Sequence, residues 1–139
     1  MYGLLHIIWQ RNNIRYFTIE EVTKGRRIPK VYLDNIEGTI KFVDRMRNDL
    51  GFPISITSSY RNEEFNKLVG GVKSSLHLVF NALDCVPTSG KLEELKSMHD
   101  YTDTNKTRQM GVGYYPTFIH IDTRGFLSRY SPVTWGEKL

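Results

Sequence analysis

The chain has 139 residues, 40% hydrophobic and 12% aromatic, which suits one domain over residues 1–139 with one core and needs no second domain. Its net charge of +4 comes from scattered lysines and arginines, with Lys24-Gly-Arg-Arg27 the only tight cluster; a nucleic-acid role would predict a basic stripe or a recognition module, and neither is visible. The single cysteine excludes an intrachain disulfide, and no run reaches the roughly 18 apolar residues of a membrane span.

In chain order, Leu4 to Trp9 is apolar but too short for a signal peptide's hydrophobic region. It lacks a preceding basic residue and a following small-residue cleavage site, and it reads as a strand. Thr18 with Glu21 three residues later forms a capping-box pattern that opens a short helix. From Tyr32 to Leu50, Leu33, Ile36, Ile40, Val43, Met46 or Arg47, and Leu50 recur at three- and four-residue steps, which predicts a helix ended by Gly51. Pro53 to Thr57 alternates with period two and reads as a strand delivering Ser58, Ser59, Tyr60 and Arg61 into a loop.

Asn62 to Val69 reads as a short helix stopped by Gly70 and Gly71, and Gly90 to Met98 as an amphipathic one. His99 then falls near a helix C-terminus, exposed, where its positive form suits the dipole, with Asp100 to Asp103 in the following loop. Val112 to Tyr115 and Phe118 to Thr123 read as two paired strands joined through Pro116. The expected architecture is α+β, a small antiparallel sheet with helices packed on one side, and a monomer is expected.

His77, Asp84 and His120 are the candidate metal ligands. Two imidazoles and one carboxylate leave one position of a tetrahedral zinc open for water, whose pKa falls to about 7, so a hydroxide is ready for hydrolysis at neutral pH. Cys85 follows Asp84, but alternate strand side chains face opposite ways, so it reads as a small buried hydrophobe.

The segments around these residues carry a resemblance. Ile54 to Arg61 (Ile-Ser-Ile-Thr-Ser-Ser-Tyr-Arg), Asn66 to Gly71, the Ser-x-His-x6-Asp stretch from Ser75 to Asp84, and Gly111 to Tyr115 before Phe-Ile-His-Ile-Asp together resemble the zinc D-Ala-D-Ala carboxypeptidase family over roughly residues 17 to 126. That family shares its fold with vancomycin-resistance dipeptidases, phage L-alanyl-D-glutamate endolysins and the Hedgehog signalling domain. Its pattern is Ser-x-His-x-x-Gly-x-Ala-x-Asp, then a second histidine near the C-terminus. Ser75, His77, Ala82, Asp84 and His120 fall on it, whereas Phe80 occupies the glycine position, which bears on the local backbone path and the cleft width. The resemblance implies a Hedgehog/D,D-peptidase-like fold, Zn2+ as cofactor, and a peptidoglycan stem peptide as substrate. With no signal sequence read, such a hydrolase is expected to stay in the cytoplasm until lysis or to ride on a virion, as in a phage or prophage.

Many relatives place an acid three residues before the second zinc histidine, and some a histidine two before it; here Thr117 and Phe118 stand there. Neither takes a proton from water near neutral pH. Strand alternation puts Asp122 on the face of His120, so Asp122 is the provisional general base or a partner that orients the zinc-bound ring, with His99 and the acids of 100–103 as substitutes. Arg61 closes the Ser-Tyr-Arg motif, and its fixed guanidinium suits a substrate carboxylate or a developing oxyanion. Ser75 is read as contacting ligand or substrate, and Tyr115 as lining the cleft. Two functions stay open: a zinc peptidase cutting stem peptides, and a zinc-bearing binding or structural module without catalysis, for which Phe80 and Thr117 speak.

Overall fold

The computed structural model describes residues 3–139; Met1 and Tyr2, the start of the expected 1–139 unit, lie outside the described residues. The first element corrects the sequence reading. Residues 4–9 belong not to a strand but to helix α1 (Gly3–Arg11), with Leu5 and Ile8 buried and Leu4 and Ile7 exposed. A short apolar run has no alternation to separate strand from helix, and here the three-residue step from Leu5 to Ile8 decides. The indole of Trp9 donates to the carbonyl of Phe17 at 2.8 Å, tying the end of α1 to the next element.

Helix α2 (Ile19–Thr23) opens with the expected capping box: Thr18 accepts from the Glu21 amide while Glu21 accepts from the Thr18 amide. The long periodic stretch divides into a 3-10 turn over Lys30–Ile36 and helix α3 (Glu37–Leu50). One buried stripe runs through both, with Leu33, Ile36, Ile40, Val43 and Met46 all in the core. Gly51 ends α3 in the left-handed conformation at φ 78°, which costs glycine little.

Strand β1 (Ile54–Ser58) leads through the Tyr60–Arg61 loop to helix α4 (Glu63–Leu68), capped by the side chain of Asn62. A 3-10 turn over Leu76–Val79 precedes β2 (Ala82–Pro87). Helix α5 spans Leu92–Asn105, longer than expected, so 100–103 is helical rather than a loop. His99 is fully buried rather than exposed, because the inward stripe of Leu95, Met98 and Thr102 carries it into the core.

Strands β3 (Gly111–Tyr114), β4 (Ile119–Asp122) and β5 (Val133–Gly136) complete a five-stranded sheet of order β1-β2-β4-β3-β5. The first four strands pair antiparallel as expected, and β5 adds a parallel pairing to β3 at one edge. The α+β class holds, with a mixed sheet. Helices α3 and α5 pack against β2 and β4, covering the face formed by Leu83, Cys85, Ile119 and Ile121. Residues of opposite parity in the same strands, Asp84 and His120, sit directly across from each other on the other face.

Candidate metal centre

Three chain segments converge on the sheet face away from α3 and α5. His77 comes from the 3-10 turn before β2, Asp84 from the middle of β2, and His120 from β4, in register with Asp84. One donor atom from each lies within 4.8 Å of the others, and all three residues are buried. His77 Nε2 is 3.2 Å and His120 Nδ1 3.1 Å from the same Asp84 oxygen, Oδ1.

The partners on the far side of each ring set its tautomer. His77 Nδ1 is 2.7 Å from the Ser59 carbonyl, an acceptor only, so Nδ1 carries the proton and donates. His120 Nε2 is 2.7 Å from Asp122 Oδ2 and donates there. Each neutral ring therefore aims a lone pair at a carboxylate oxygen. Three converging acceptors repel one another unless a cation lies among them, and the candidates are a proton or a metal ion.

Donor chemistry fits zinc, and so do the two spacings to Asp84: N/O atoms about 2.0 to 2.1 Å from a tetrahedral zinc lie about 3.3 Å apart, close to the 3.1 and 3.2 Å found here. Without a metal, a proton fills the gap. Burial opposes a charge on His120, yet bonds from Asp122 and Asp84 outweigh it and raise the imidazole above its usual value. Asp84 is likewise held below the ordinary carboxylate range, its burial outweighed by His120 and His77.

Asp122 is fully buried. Its Oδ1 accepts from the amides of Gly111 and Arg124 and from Arg124 Nε, and its Oδ2 accepts from Arg124 Nη2 as well as His120. Burial pushes its carboxyl up, but the bonds from His120 and Arg124 prevail and hold it at about 2. A carboxylate saturated in this way, on the far side of the ring, orients His120 as outer partners of metal ligands do.

The donors open into a cleft of about 400 Å3 bordered also by Arg61, Ser75, Tyr115 and Trp135. Arg61 Nη2 lies 3.6 Å from Asp84 Oδ2, the oxygen turned away from the histidines, while its Nε donates to Ser58 Oγ and its Nη1 to Asn66 Oδ1. Ser75 Oγ accepts from the His77 amide at 3.2 Å and so caps the turn that carries the ligand. Tyr115 stacks on Phe118 at 4.2 Å and accepts from the Trp135 indole at 2.8 Å. His99, Asp100 and Asp103, the substitute bases, do not border the cleft. His99 is spent on the Phe118 carbonyl and the Leu139 amide, Asp100 on Lys96 and Lys138, and Asp103 on Lys106.

Phe80 stands in the left-handed region at φ 57° and is fully buried in the core. Position 80 therefore falls where the turn reverses before β2, and Phe80 packs into the hydrophobic core and does not border the cleft.

A family model described as Peptidase M15 matches residues 15–122. The chain belongs to the peptidase M15 family. M15 metallopeptidases use zinc, and His77, Asp84 and His120 are the group that could hold it here. No curated protein matches the chain closely enough to count as a relative.

Trp135 in the cleft and Asn66 behind Arg61 were given no role of their own by the sequence. Trp135 lies outside the matched region, and its ring is centred 5.1 Å from that of His120. The available signal was the glycines of β3: a Cβ on Gly113 would stand 2.6 Å from the Trp135 ring, and one on Gly111 2.5 Å from Arg124 Nε, so both glycines mark close approach. Asn66, buried, donates to the Val72 carbonyl and accepts from Arg61. A Cβ on Gly71 would be 2.0 Å from Asn66 Oδ1, so the 66–71 motif is a clasp that seats Arg61.

Proposed function

We propose that the chain acts as one zinc-dependent peptidase domain, a monomer, that hydrolyses peptidoglycan stem peptides as a D,D-carboxypeptidase or an endolysin-type endopeptidase. The observation that carries this reading is the convergence of His77 Nε2, His120 Nδ1 and Asp84 Oδ1 at the floor of a cleft that also holds Arg61. Zinc, when bound there, supplies Lewis acidity towards a carbonyl and a water with its pKa lowered to about 7. A residue-borne base is then dispensable at neutral pH.

The protein's own groups divide the remaining work. Asp122 fixes the His120 tautomer and ring plane, which makes it a positioning residue rather than the base. Arg61, held by Ser58 and Asn66, offers a fixed cation for the carbonyl oxygen as it gains charge, or for the peptide's carboxylate. Ser75 and Tyr115 border the space a peptide would fill; Tyr115 accepts from Trp135, which leaves its own O–H to donate to substrate. No helix of the described residues is long and apolar enough to cross a membrane, and action on the cell wall, after lysis or from a phage virion, goes with the proposed substrate.

One observation favours a second reading, a zinc-bearing wall-binding module without catalysis: apart from Asp84, no carboxylate borders the cleft among the described residues. A muropeptide digest separates the two. The peptidase reading expects new amino termini or released D-alanine with the zinc-loaded protein, abolished by chelator and restored by zinc. Intact muropeptides with a fully zinc-loaded protein would leave the binding module.

A further inference from the structure

Two members of the basic cluster Lys24-Gly-Arg-Arg27 border a cavity. A space of about 290 Å3 lies between the loop after α2, the end of β1 and helix α4, and is bordered by Lys24, Arg26, Arg61, Thr57, Ser58 and Ser59. Three cationic and three hydroxyl-bearing residues border it, and no acidic residue does among the described residues. The cations are held in place from behind. Lys24 donates to the Ile56 carbonyl, and Arg26 donates to the Tyr60 carbonyl at 2.6 Å while lying 4.7 Å over the Phe65 ring. Ser59 is fully buried, and its Oγ has no hydrogen-bond partner, an uncommon state for a buried hydroxyl and one that a bound acceptor would relieve.

Arg61 borders this cavity and the metal cleft alike, so the two spaces are neighbours at that residue. Fixed forks and an ammonium, with hydroxyl donors between them, suit a carboxylate.

We propose that Lys24, Arg26 and Ser59, together with Arg61, form a subsite for a second, non-reacting carboxylate of the peptide substrate, so that acidic stem peptides are preferred over amidated ones. This rests on the peptidase reading for the peptide's identity. The subsite itself is a claim about binding, which turnover is not needed to measure.

The test is calorimetric binding of L-Ala-γ-D-Glu-L-Lys-D-Ala-D-Ala to the zinc-loaded wild type, compared with the same peptide amidated at the D-glutamyl α-carboxyl or at the C-terminus. These ligand-side comparisons need no variant and so do not depend on a variant folding. One amidation is expected to weaken binding about 10-fold, the worth of one charge-assisted contact. In Lys24→Gln the acidic peptide should lose a similar factor while the sensitive amide is little changed.

Equal affinity for the acid and both amides overturns the subsite even where the peptides are cut. Acid preference without cleavage keeps the subsite and removes the peptidase reading. Inorganic phosphate as a separate probe distinguishes the remaining source of anion: phosphate binding that Lys24→Gln abolishes, with no acid preference among the peptides, assigns the cavity to an independent anion and overturns the proposal.

Discussion

His120 Nε2 lies 2.7 Å from Asp122 Oδ2, and the ring's other nitrogen points at Asp84 Oδ1, 3.1 Å away. One carboxylate thus fixes from behind the imidazole that presents its lone pair in front. In Asp122→Asn an amide must replace a carboxylate that also accepts from Arg124. The variant should fold, lose about 10-fold or more in zinc affinity, and lose activity in step. Wild-type zinc affinity with turnover about 100-fold down would instead make Asp122 the base.

Arg61→Lys keeps the charge and removes the planar fork that reaches Ser58, Asn66 and Asp84. Zinc content and melting temperature should stay near wild type, with muropeptide turnover falling about 10-fold or more. Turnover within about twofold of wild type would reduce Arg61 to a structural ion pair.

Phe80 sets a backbone cost against a packing gain. Its left-handed backbone costs about 1 to 2 kcal/mol, whereas emptying the space of a buried phenylalanine costs about 3 to 5 kcal/mol. The cavity wins, so Phe80→Gly should be less stable by roughly 1 to 4 kcal/mol and still bind zinc, because Phe80 does not border the cleft. Denaturant unfolding of the metal-free protein checks this, and a stabilised variant would show that the strain dominates.

The pH dependence of the metal-free protein follows from the same cluster. Asp122, held at about 2, and Asp84, also lowered, contribute stability that is present above the unfolded carboxylate value of about 3.9 and is lost as pH falls through their folded values. His120 is raised, so its contribution is full below the unfolded value of about 6.5 and is lost as pH rises through its higher folded value. The melting temperature without zinc should therefore be highest between about pH 4 and 6.5, and zinc affinity should climb with pH as the proton on His120 is displaced. A metal-free melting temperature that rises steadily from pH 6 to 8 would contradict the protonated cluster.

How far the sequence was legible follows from what each residue answers to. The stripe from Leu33 to Met46, the Thr18–Glu21 box and the alternation around Ile119 and Ile121 are local patterns, and local physics placed them. Residues 4–9 failed because a short apolar run suits either element until its neighbours are known. His99 failed because its burial depends on Tyr114, Phe118 and Leu139, which are distant in sequence. His77, Asp84 and His120 were legible as one group through motif spacing, and the fold brings a donor atom of each within 4.8 Å of the others. Trp135 and the Lys24–Arg26 cavity depend on long-range packing that no local pattern encodes. The contact of Asp122 with His120 Nε2 depends on the ring's orientation, which strand alternation cannot supply.

The zinc content of the protein after equilibration with zinc and removal of excess tests the central claim most directly. The wild type should hold about one zinc per chain, a His77→Ala, His120→Ala double variant essentially none, and removing the metal from the wild type should lower its melting temperature. Equal zinc in wild type and double variant, or a wild type that holds none, would contradict a metal centre built from His77, Asp84 and His120.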